Sequence, residues 1–163
     1  MPNRNALLAM LVGLVVAAAL VGLIVFKQAG STPRLEGEIT AVRTLGMDRS
    51  SAVAIVDFRF TNTSRYRFIV QSTAMTVVDA KGATHEGAVV ASSDADELFR
   101  LFPAIGPRAA ATLIIKTRFQ PQQAGSAMLA ARFEIPKAAL DARSRISVTI
   151  TEIDGAVSEI TGK

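Results

Sequence analysis

Twenty-one consecutive residues, Ala6 to Phe26, carry no charge and no strongly polar side chain. At about 1.5 Å of rise per residue, a helix of this length crosses a hydrocarbon core of roughly 30 Å. Surface helices of soluble domains are apolar along one stripe, whereas this run is apolar all round. It therefore divides the chain. Residues 1–5 read as a short basic N-terminus, 6–26 as a transmembrane helix, 27–34 as a tether and 35–163 as one folded domain.

The N-terminal amine and Arg4, with no acid before the run, form a short positive n-region. A cleaved signal peptide has an apolar stretch of about 7–15 residues followed by a small-residue cleavage site. A cut near Ala17 or Ala19 would leave Leu20–Phe26 as an apolar stump, and Lys27-Gln28-Ala29 is a poor cleavage site. Length and flanks thus favour an uncleaved signal-anchor. Basic residues nearest the run (Arg4 against Lys27, Arg34 and Arg43) slightly favour a cytoplasmic C-terminal side. The short n-region is that of an exported protein and places the domain outside the inner membrane, which is the orientation adopted here. Ala18 and Gly22 form a small-xxx-small pair, through which two such helices would pack as a homodimer. Gly30, Ser31 and Pro33 make 27–34 turn-rich and short, holding the domain near the bilayer.

With Arg4 and Lys27 set aside, the remaining chain has 16 basic and 14 acidic residues. Binding a phosphate backbone needs clustered positive charge. Arg65 with Arg67 is the largest local basic group, so nucleic acid is not the expected partner. The absence of cysteine excludes disulfides, thiolate metal sites, cysteine nucleophiles and a lipidated cysteine anchor.

Beyond the tether, period-two alternation dominates. Leu35–Leu45 reads as a first strand. In Ala52–Thr61, Ala54, Val56, Phe58 and Phe60 share one face; Val53, Ile55, Asp57, Arg59 and Thr61 share the other. Tyr66–Val78 follows, with Phe68 and Val70 on one parity and Met75 and Val77 on the opposite one. Asp79-Ala80-Lys81-Gly82 is a hairpin turn leading to Thr84–Ala91. Ser93, Asp96 and Glu97 mark a helix start, and Leu98–Phe102 an apolar cluster over the end of a core, closed by Pro103, Gly106 and Pro107. Ala110–Phe119, Ala127–Ile135 and Arg145–Glu152 read as strands, with one or two helical turns at Pro136–Arg143 and a hairpin at Asp154-Gly155 before Ala156–Ile160. Seven or eight strands joined by short turns bury one face each against a second sheet. The expected fold is all-β, an immunoglobulin-like β-sandwich, with a small closed barrel as the alternative.

Three segments carry a resemblance. Val56–Ser64 resembles the strand followed by Thr-Asn-x-Ser that opens bacterial immunoglobulin-like envelope modules. Met75–Gly82 is similar to their strand and Asp-x-x-Gly turn, and Phe102–Pro107 with Thr112–Phe119 to a later Pro-Gly turn and strand. These are families of the DUF4352 type, whose members sit behind an N-terminal signal or membrane anchor. The resemblance covers Val53–Ile135 and implies no catalytic residues. The Asp94–Phe102 insert departs from it.

Candidate sites are few. His85 is the only histidine, and Asp79 or Asp94 would complete a Ser-His-Asp set, but no G-x-S-x-G elbow is present. Asp94, Asp96 and Glu97 are the acidic cluster, offering part of a calcium shell without an EF-hand loop. Glu152, Asp154 and Glu159 read as hairpin surface, and Asn62-Thr63-Ser64, though a glycosylation pattern, as a turn. Leu98, Phe99, Leu101 and Phe102 either cover the core or meet a partner, and the outer-face pair Val53 and Ile55 is a smaller contact candidate. No catalytic, cofactor or metal residue is assigned. The expectation is a non-catalytic envelope protein, held in membrane lipid through 6–26, that binds or scaffolds a protein, for example as an accessory subunit of a membrane complex. A periplasmic small-ligand or glycan module is the alternative, disfavoured by one Tyr and no Trp; a hydrolase is more distant.

Overall fold

Alternating side chains become strands wherever a second sheet is available to cover their apolar face. The computed structural model describes residues 13–15, 18–19 and 33–163. Residues 13–15 and 18–19 are helical, and among the described residues no helix is long and apolar enough to cross a membrane. The rest of the expected span at 6–26, including Gly22, and the tether up to residue 32 lie outside the described residues. Residues 33–163 form a unit of their own.

Its strands are β1 (Leu35–Gly46), β2 (Ala52–Asn62), β3 (Phe68–Val78), β4 (Thr84–Val89), β5 (Arg118–Phe119), β6 (Ala124–Phe133), β7 (Arg145–Glu152) and β8 (Val157–Gly162). Two helices, α1 (Ser92–Leu101) and α2 (Lys137–Asp141), interrupt them. All strand ladders are antiparallel, in the order β1-β2-β6-β4-β3-β7-β8, with β5 added beside β3. The fold is a β-sandwich close to a barrel: β1-β2-β6 make one layer and β3-β7-β8 the other. β4 joins them by changing partners, since Thr84–Gly87 pair with β3 and Ala88–Val89 with β6. Gly87 sits at this corner because a Cβ there would lie 2.6 Å from Phe133 Cζ and 2.9 Å from the Ala131 methyl. On the opposite side β1 and β8 approach without a shared ladder, and Leu35 N donates to Ser158 Oγ at 2.9 Å.

Between the layers lie Val56, Phe58 and Phe60 of β2, Met75 and Val77 of β3, Leu129 and Phe133 of β6, and Ile146, Val148 and Ile150 of β7, all buried. Each such side chain stabilises the fold by roughly 1.5–3 kcal/mol. The parity change expected within β3 has a local cause. The ladder with β7 shifts register between Val70 and Ser72, so the bulged Gln71 turns Phe68, Val70, Met75 and Val77 to the same core. Thr40 is a second such bulge in β1, where the register shifts between Ile39 and Ala41.

One expected strand is corrected. Ala110–Phe119 is not continuous: Thr112 bridges Met128 of β6, whereas Arg118–Phe119 pair with β3. The chain crosses from one layer to the other through a turn in which Lys116 has φ 66° and Lys116 N donates to Val70 O at 2.7 Å. Leu113 and Phe119 are buried, whereas Ile114 and Ile115 between them are exposed.

Candidate functional site

The outer face of β2 carries Val53 and Ile55, and that of β6 carries Met128 and Ala130. Four apolar side chains on a solvent face would be costly, and α1 covers them. Ala95 is buried in this second cluster, with Val90, Leu98, Phe99, Ile105 and Ala110 packed around it. Val53 and Ile55 are therefore 2% and 1% exposed, which corrects their reading as a contact surface. The apolar segment lies on the flank of a sheet and not over the open end of the sandwich. Of the four candidate contact residues, Leu98 and Phe99 face the sheet, Phe102 is half-buried, and Leu101 is 56% exposed at the last turn of α1.

A polar clamp fixes this layer. Arg43 of β1 donates from one guanidinium nitrogen to Asp57 Oδ2 of β2 at 2.6 Å and from another to Pro107 O at 2.8 Å. Its guanidinium also lies over the Phe99 ring, 5.1 Å from the centroid. Asp57 is buried, and its Oδ1 and the Arg43 Nε have no hydrogen-bond partner. Alternation puts Asp57 on the face of Val53 and Ile55 and gives no sign of its partner. A charged pair on the same outer parity as Val53 and Ile55 was the available signal, since a covering layer over that face must meet both.

The acidic cluster does not converge. Asp96 pairs with Arg108, Glu97 with Arg100, and Asp94 accepts from Ser93 Oγ at 3.1 Å. Among the described residues no three His, Asp or Glu side chains are placed to hold a metal ion. The expected capping role of this segment is also corrected: the N-cap of α1 is Ala91, with no side-chain cap. His85 Nε2 meets Asp79 Oδ2 at 3.1 Å. Asp79 also accepts from Lys81 N and Ala83 N at 2.8 and 2.9 Å. The His85 contact, followed by the Ala83 amide, holds its carboxyl below the ordinary range. Ser144, which joins this turn network, donates to the main-chain carbonyls of Val78 and Asp79, each at 3.2 Å. Among the described residues no serine hydroxyl is hydrogen-bonded to His85, and the His85–Asp79 pair fastens the β3–β4 hairpin.

The burial of two polar residues was not legible in the sequence. Glu152 is buried, not on the hairpin surface; it accepts from Ile69 N at 3.4 Å and Asp154 N at 2.6 Å. Asn62 is fully buried and donates to the carbonyls of Tyr66, Phe119 and Gln120 at 2.8, 3.3 and 3.0 Å. Its Oδ1 accepts from Ser64 Oγ at 2.7 Å. The side chain of this sequon is thus a structural knot. An open depression of about 580 Å³ lies on β1-β2-β6 beside Glu36, Glu38, Arg59 and Thr61. Its one aromatic, Phe60, is buried, so it offers no stacking platform for a sugar.

No family model matches the chain, and no curated protein matches it. Among solved structures it is similar to an uncharacterised β-sandwich protein from Clostridium difficile 630, at 9% identity and TM-score 0.41, over 79% of this chain and 85% of that one. It is similar also to the archaellum periplasmic stator protein FlaG from Sulfolobus acidocaldarius, at 9% identity and TM-score 0.34, over 78% and 99%. The complex of stator proteins FlaF and FlaG from the same organism aligns at 8% identity and TM-score 0.30, over 77% and 87%. Likenesses of this degree carry no inference about function.

Proposed function

We propose that the chain is a non-catalytic protein of the cell envelope, anchored in the inner membrane through residues 6–26, whose β-domain binds a protein partner outside that membrane. The observation that carries this reading is the covering layer itself. A helix clamped to the flank of a sandwich presents Leu101 to solvent beside the half-buried Phe102. Leu98 and Phe99 support that surface from beneath, so the proposed contact keeps all four residues but only its outer two touch the partner. The immunoglobulin-like reading is supported by connectivity: β1-β2-β6 and β3-β7-β8 follow strands A-B-E and C-F-G of that fold. The DUF4352-type resemblance remains a proposal on its three motifs.

The test is co-purification from gently solubilised native membranes, comparing the wild-type chain with Leu101→Glu. A partner held by the wild type and lost by Leu101→Glu, with folding unchanged, supports the reading. Retention of the same partner by both moves the contact away from α1.

A further inference from the structure

The first described residue of the domain, Pro33, enters β1 at one end of the sandwich, and that end differs from the rest of the surface. Leu35 pairs with Asn62, Thr61 with Ala124, Phe68 with Phe119 and Thr151 with Val157, so seven strands begin or end there. Among residues 33–163, eight large apolar side chains are exposed, and five of them belong to this end: Tyr66, Ile114, Ile115, Ile153 and Val157. The turn bearing Ile114 and Ile115 is bonded to Val70, and Ile153 N donates to Ile69 O at 3.1 Å, so the loops flank the start of β3 from both sides.

The charge at this end is one-sided. Arg34, Arg65, Arg67, Lys116 and Arg118 are all exposed, and none makes a salt bridge among the described residues. The acids of the same segments are Glu36, Asp154 and the buried Glu152. Exposed Ile, Val and Tyr among unpaired Arg and Lys are the composition of a surface that lies in the interfacial zone of an anionic bilayer. Chain length agrees. Seven residues separate Phe26 from Arg34, a reach of at most about 25 Å. A strand of eleven residues such as β2 is itself longer, roughly 36 Å.

We infer that this end of the domain docks on the anionic lipid surface of the membrane holding the chain, with Ile115 and Ile153 at the headgroup boundary and Arg65, Arg67 and Lys116 on lipid phosphates. The inference rests on the anchored reading above. It gives the domain a fixed stance, which leaves Leu101 on its flank free for a partner.

Having no cysteine, the full chain accepts single labels at Ile115→Cys, Ile153→Cys and, on the β1–β2 turn at the opposite end, Met47→Cys. Each carries an environment-sensitive fluorophore in phosphatidylcholine vesicles with or without phosphatidylglycerol, and lipid-borne quenchers report contact. With phosphatidylglycerol, labels at 115 and 153 are expected to shift to the blue and to be quenched several-fold more than at 47. Combined Arg65→Glu, Arg67→Glu and Lys116→Glu should abolish the difference. A chain that resists alkaline extraction but shows equal quenching at all three sites overturns the docking alone. A chain released by alkaline extraction overturns the anchor and the docking together. Labels shielded only in native membrane vesicles, and not in pure lipid, assign the surface to a protein and also overturn the inference.

Discussion

Replacing Arg43 with Met removes the clamp that holds the covering layer while keeping most of the aliphatic volume. Asp57, whose side chain is 6% exposed, then loses its counter-charge, and its Oδ1 is already without a partner. Leaving one member of a buried pair unpaired costs about 3–5 kcal/mol, and the 20% exposure of Arg43 places this site near the lower bound. The cation–π contact with Phe99 adds about 0.5–1 kcal/mol. The expected loss is about 4 kcal/mol, a fall in Tm of roughly 10–20 °C for a domain of this size. Asp57→Leu alone is expected to cost about 2 kcal/mol, since Arg43 keeps Pro107 O and part of its water. The double variant should lie within about 1–2 kcal/mol of wild type, because an apolar pair can replace a buried ion pair at little cost. Urea denaturation followed by circular dichroism measures all three, and hydrogen exchange should show α1 amides opening first in Arg43→Met. If the double variant loses the sum of the single losses to within about 0.5 kcal/mol, the two side chains are not coupled and the clamp is refuted.

Asn62→Asp keeps the shape of the knot but turns three donated hydrogen bonds into contacts between oxygens. We expect it to cost about 3 kcal/mol by thermal melting, and a loss under 1 kcal/mol would contradict the bonding described. Gly37→Ala places a Cβ 2.1 Å from Arg59 O, so β1 must move off β2. A loss of at least about 2 kcal/mol is expected, and an unchanged melt would mean that the strand relaxes freely. In the β1–β2 turn the Ser51 hydroxyl, then the amide and hydroxyl of Ser50, hold Asp48 well below its ordinary value of 3.8. A depressed carboxyl adds stability above that ordinary value and loses it as pH falls toward the folded value. Stability should thus decline below about pH 4, and less steeply in Asp48→Asn; identical acid limbs would remove Asp48 as a cause.

Alternation along the chain determined the all-β class and most of the sandwich interior. Ala54, Val56, Phe58 and Phe60, like Leu129, Ala131 and Phe133, recur at every second residue, and that period depends on local backbone geometry alone. Composition likewise disposed of thiol chemistry, and the spacing of Asp79 to Gly82 placed a turn where one is found. Tertiary structure decided what covers each face. Val53 and Ile55 read as outer surface until Leu98 and Phe99, more than forty positions away, settled on them. Asp57 and Glu152 read as solvated because their partners, Arg43 and Ile69 N, stand 14 and 83 positions distant. The bulge at Gln71 reverses parity with a single residue, and the crossing at Lys116 splits one apolar run between two sheets. Periodicity records which side chains share a face, whereas burial depends on which distant segment arrives to exclude water from it.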